Sequence, residues 1–181
     1  MRPFADNLFP VRSSAFQAGL DLAEFRRRSA PNSESCAPPS REAASRLGSQ
    51  RSAHVSDLKL KLPHALQDQL FASGLVLLEA RRGDSEAAQA RERVLAECAI
   101  LEFSTSAQDL AQKILATRLI PGKTAADAAH IAIAAVHRMD FLLTWNCRHI
   151  ANAAIVDDIR RACSDEGFPA PVICTPHELM I

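Results

Sequence analysis

Three polar side chains in the second half of the chain have the types and surroundings for chemistry on a charged substrate. Asp127 lies in the run Thr124–His137, which is otherwise almost wholly Ala and Ile. A carboxylate in such a helix is costly to bury unless it is hydrogen-bonded or meets a cation, and a metal ion would serve. Asn146 follows the short apolar run Phe141–Trp145 and could offer its side-chain carbonyl as a hard oxygen ligand. Glu79 stands in LVLLEARRGD, where an apolar stretch turns polar. Hard oxygen donors of this kind suit Mg2+ or Mn2+ in octahedral coordination, and the chemistry they would support is metal-assisted hydrolysis.

Each residue also has a plainer role open to it. Thr124-Ala-Ala-Asp127 matches a helix capping box. Asn146 is a good N-cap for the helix expected after it. Glu79 has Arg82 three residues on, the spacing of a surface ion pair worth about 0.2–0.5 kcal/mol. Two further patterns are set aside. Pro121-Gly122-Lys123-Thr124 contains the end of a phosphate-binding loop, but Thr117 stands where that loop needs glycine, and a helix precedes it. His130, His137 and His149 lack partners at zinc-binding spacing. His130 lies three residues from Asp127 and could hydrogen-bond near it. His149 reads equally as a helix-surface histidine and as a substrate contact.

These residues must be positioned by alternating helices and strands. Leu66, Leu70, Val76, Leu77 and Leu78 suggest helix, interrupted or restarted near Gly74. Gly83 fits a helix C′ position and Asp84 an N-cap, opening a helix over about 85–97. Ala99–Phe103 is a strand candidate, and Ser104 opens a further helix with Leu110, Ile114 and Leu115 facing inward. Leu119–Lys123 forms a loop, Thr124–His137 an Ala-rich helix and Phe141–Trp145 a buried strand. A polar helix over about 147–165 is stopped by Gly167-Phe168-Pro169, and Val172–Thr175 is the last strand. Strands this apolar between helices imply a parallel sheet covered on both faces. Ligands of such sheets bind beyond the carboxyl ends of the strands, where Asn146 falls.

The first third of the chain is different. Residues 1–56 hold eight arginines and no lysine, and Ser29–Ser52 is rich in Ser and Pro. That composition predicts a disordered segment ahead of a domain over 57–181. The abrupt change near residue 56 is what a shifted reading frame or a misassigned start upstream of a domain would leave. Over all 181 residues the formal net charge is zero, so no global field draws the protein to nucleic acid or membrane. Five cysteines, an odd number with no CxxC pair, read as reduced thiols of a cytoplasmic protein. No stretch approaches the ~18 apolar residues of a membrane span.

LVLLEARRGDSEAA, TAADAAHIAIAAV, FLLTWNCRHIANA and PVICTPHEL, in that order, resemble the PIN domain family, in particular its VapC-like branch associated with toxin–antitoxin systems. The resemblance runs from about Phe71 to the C-terminus. It implies a three-layer α/β/α domain with a central parallel sheet and a Mg2+- or Mn2+-dependent endoribonuclease. Asp127 and Glu79 would be metal ligands, and Asn146 would bind metal or hold the scissile phosphate where many relatives carry Asp. Arg148, His149 and Arg118 would contact substrate. Partners implied are RNA, a cognate antitoxin and a second copy in a homodimer. The family's opening strand, which ends in an acidic residue, has no recognisable counterpart here: Asp6, Asp21 and Asp57 follow no apolar strand run. The expected alternative is therefore a degenerate PIN-like domain that binds RNA or protein without cleaving.

Overall fold

The computed structural model describes residues 9–11, 70–120, 125–144, 146, 149–175 and 178. The expected disordered segment over 1–56 lies outside these residues except at 9–11, and so do Trp145, Cys147, Arg148 and the stretch 121–124. The described residues form a mixed α/β structure. Its strands are β1 (Phe9–Val11), β2 (Phe71–Ser73), β3 (Ala99–Leu101), β4 (Phe141–Leu143) and β5 (Val172–Cys174). Five helices alternate with them: α1 (Gly74–Ala80), α2 (Ser85–Leu95), α3 (Thr105–Ala116), α4 (Ala125–Val136) and α5 (Ala153–Asp165).

Capping chemistry sets most of the helix starts. Ser73, Asp84 and Ser104 accept the backbone N–H three residues on, and Asn152 that of Ala154. Gly83 and Gly167 take the positive φ that chain reversal after α1 and α5 demands, 95° and 80°. Phe168 N–H then donates to the Cys163 carbonyl, closing α5.

The sheet departs from the expected uniform parallel arrangement. β4 and β5 are parallel, with Leu142 opposite Ile173, and β2 and β3 are parallel, with Ala72 opposite Ile100. β1 runs antiparallel to β4, with Pro10 opposite Leu142. It also lies close beside β2. Proline has no N–H to give a ladder, so a strand centred on Pro10 is poorly equipped to pair on both sides. A three-residue Phe-Pro-Val strand also leaves no alternation to read, which is why the sequence gives no sign of β1. β2 is a second departure: helix was expected through Leu70, but Phe71–Ser73 is extended and α1 starts afresh at Gly74.

Burial is uneven across the strands. Phe141, Leu142 and Leu143 are all buried, as expected for a strand covered on both faces. In β3 only Leu101 is buried, and Ile100 is exposed, so the expectation of two covered faces does not hold there. The core is built around α4, whose residues 127–135 are all buried. α3 packs along α4 and also meets α5, while α1 pairs with α2.

Candidate active site

α4 presents Ala at most positions, so a neighbouring helix and strand can approach its backbone closely. Its C-terminal end turns through Arg138, at φ 54°, and Met139 N–H bonds back to the Ala134 carbonyl. The short connection 137–140 then feeds β4, which packs against α4. Asp127 lies nine residues before the end of α4, a rise of about 14 Å. Asn146 lies three residues beyond Leu143, the last residue of β4. Four residues join α4 to β4, so the Asp127 end of α4 and the exit of β4 are both the ends away from that connection.

Asp127 is 8% exposed, and its Oδ2 is wholly buried. His130 follows one helical turn later, its side chain only 2% exposed. Its Nε2 stands 3.4 Å from Oε1 of Glu79, whose side chain is 17% exposed. The contact is a hydrogen bond from Nε2 to the carboxylate in the tautomer that carries its hydrogen on Nε2. Residues three apart on a helix share a face, so Asp127 and the His130 that meets Glu79 lie on the same side of α4. The surface pair expected between Glu79 and Arg82 is replaced at the side-chain level by this inward contact. Arg82 meets Glu79 through the backbone, donating its N–H to the Glu79 carbonyl.

Asn146 is buried and does cap, though not the helix expected. Its Oδ1 accepts from His149 N–H at 2.9 Å, and its carbonyl accepts from Ile150 and Ala151. This closes a single turn, and α5 begins later at Ala153 with Asn152 as its cap. Two Asn residues six apart compete for the same role, and side-chain type alone does not separate them. Asn146 N–H in turn donates to Thr144 Oγ1 at 2.9 Å, and Thr144 N–H to the Cys174 carbonyl. Thr144 is fully buried and had no place in the sequence expectations, nor did Glu178. Glu178 Oε2 accepts from both the N–H and the hydroxyl of Thr175, at 2.6 and 2.8 Å. A Thr directly after each of β4 and β5 is the signal that marks both.

Arg118 is exposed at the exit of α3, at φ 59°, with its N–H bonded to the Leu115 carbonyl. The chain from there leads to the first turn of α4, so Arg118 belongs to the connection entering the Asp127 end. His149 is half-buried, held through its backbone by Asn146. Arg148 lies outside the described residues.

Among the described residues, no group of three or more His, Cys, Asp or Glu side chains is placed to hold a metal ion. The hard donors present are the carboxylates of Asp127 and Glu79, with Asn146 Oδ1 already accepting one hydrogen bond. Magnesium keeps several waters and commonly takes one or two protein carboxylates beside substrate phosphate. Two carboxylates and a side-chain carbonyl are hard oxygen donors of the kind magnesium takes, and the set does not suit zinc.

No family model, curated protein or solved structure matches this chain. No helix among the described residues is long and apolar enough to cross a membrane.

Proposed function

We propose that this chain is a divalent-metal-dependent endoribonuclease with a three-layer α/β/α domain of the PIN type. The observation that supports it best is the contact of buried His130 with Glu79, one helical turn from buried Asp127. It ties Glu79 of α1 to the helix that carries Asp127. Asp127 and Glu79 would hold Mg2+ or Mn2+. When bound, the ion supplies an acidified water and stabilises charge on the phosphate.

The chain's own residues would do the rest. Asp127 is fixed by the close packing of α4 and Glu79 by His130. Asn146, held by its turn, has a second oxygen lone pair and an amide N–H pair for metal or the scissile phosphate. Arg118 offers an exposed guanidinium for the RNA backbone, and Arg148 and His149 would be the other substrate contacts. With a net charge of zero, attraction to RNA has to be local. Unpaired or looped RNA is the substrate class, since its bases and backbone are accessible. The same reading makes the chain a cytoplasmic toxin with a cognate antitoxin as partner, and a homodimer.

The test is RNA cleavage by the full chain in Mn2+, in EDTA and as Asp127→Asn. Cleavage in Mn2+ that both EDTA and the substitution abolish is expected. Cleavage that persists in Asp127→Asn sinks the assignment.

A second reading has one specific observation in its favour: β1 is Phe-Pro-Val and brings no carboxylate to the pair described above. On this reading the domain binds RNA or a protein without cleaving. Wild-type protein that retains RNA but leaves it intact in Mn2+ would select it.

A further inference from the structure

His130 is used by neither the metal nor the phosphate in the proposed reaction, yet its side chain is almost wholly buried. Its imidazole is 2% exposed and sits in α4 between Ala129 and Ile131, both buried. A polar ring in such surroundings costs free energy unless a partner meets it. Its partner is Glu79 Oε1 from α1, more than fifty residues away in sequence, at 3.4 Å. The contact is long for a hydrogen bond, so its value lies in orientation more than energy.

Glu79 needs such orientation. It is the next-to-last residue of a seven-residue helix, and a glutamate has three side-chain torsions to fix. The backbone beneath it is already held. Arg91 of α2, itself buried, donates through Nε to the Ala80 carbonyl and through a terminal nitrogen to the Arg82 carbonyl, both at 2.9 Å. Glu79 is thus fixed below by α2 and at its carboxylate by α4. Asp127 and His130 share one face of α4, so the same helix supplies one carboxylate and aims the other.

We infer that His130 is a positioning residue, which holds the Glu79 carboxylate toward Asp127 so that both reach one divalent ion. This inference rests on the metal reading above and concerns the chain's own residues before any ion arrives. Groups that orient metal-ligating side chains typically change affinity by about 10–100-fold when removed.

The experiment is calorimetric titration of Mn2+ into the full chain as wild type, Asp127→Asn, His130→Leu and His130→Gln. Wild type binds, Asp127→Asn does not, His130→Leu weakens binding by about 10-fold or more, and His130→Gln stays within about 3-fold because its amide N–H replaces Nε2. Rescue by Gln separates aiming from mere filling of the core. Binding by His130→Leu equal to wild type, with Asp127→Asn still inactive in binding, overturns the positioning role and leaves the metal site standing. Wild type that binds no Mn2+ overturns the metal reading itself. The contact is judged independently by urea unfolding of Glu79→Gln, His130→Leu and the double variant. A double variant no less stable than the worse single one is expected, and shifts that simply add overturn the contact.

Discussion

α2 buries one ionisable side chain and α4 two, and the helices use them in opposite ways. α2 is a surface helix: only Ala88, Arg91 and Leu95 of its residues are buried, the rest facing solvent or half-covered. Its buried Arg91 gives hydrogen bonds to the carbonyls of Ala80 and Arg82, which leave α1 without helical partners of their own. Burial holds that guanidinium below the ordinary arginine value, with Asp84 acting the other way. Arg91 thereby closes the α1–α2 elbow, a structural use. α4 instead buries every residue from 127 to 135, and its His130 meets Glu79 of α1. The buried cation of α2 serves backbone carbonyls. Asp127, on the same face of α4 as His130, is the carboxylate that the proposed metal site uses.

If α4 is the packed centre and α2 its outer brace, truncation should tell them apart. Ile131→Ala, at a fully buried site in α4, is expected to cost about 3 kcal/mol in urea unfolding, through lost transfer and a cavity. A cost under about 1 kcal/mol would mean that α4 is not the centre. Arg91→Met keeps the stem but withdraws the donors from two carbonyls, and should cost about 2 kcal/mol. Its metal affinity should fall less than that of His130→Leu, because the elbow moves Glu79 only through the backbone.

The core itself responds to alkali. Burial pushes the Cys163 thiol up to about 11, and burial, with Glu178 adding to it, moves Cys174 in the same direction. An unfolded thiol titrates near ~8.5. Below that pH both states keep their protons and the contribution to stability is complete. As pH rises through ~8.5 toward 11 the unfolded chain releases protons that the folded chain retains, so stability falls. The urea midpoint should drop over this window, and Cys163→Ala should flatten the drop. The smallest effect belongs to the exposed face of α2. Glu92→Ala removes the 2.6 Å pair with Arg81, both partly exposed, and should change stability by less than about 1 kcal/mol.

What was legible in the sequence follows how local each signal is. The caps Asp84 and Ser104, the glycine stops and the apolar α4–β4 pair are written within a few residues, and they appear where expected. The exposed flank of β3 is not local, since whether Ile100 is covered depends on what packs beside it. Neither is the antiparallel course of β1, whose pairing with β4 joins residues far apart in the chain. Asp127, Glu79 and Asn146 could be picked out by type and surroundings. The link between the first two could not, because His130 reaches Glu79 only once α4 lies against α1. Asn146 showed its capping habit correctly and its helix wrongly, because Asn152 has the same side chain.

The central claim is that Asp127 and Glu79 form one cation site at the end of β4. The most direct measurement is the heat of Mn2+ binding to the folded full chain, wild type against Asp127→Asn. Binding by wild type that the substitution removes, with both proteins equally folded by circular dichroism, is the result predicted. Equal binding by the two proteins, or none by either, would contradict it.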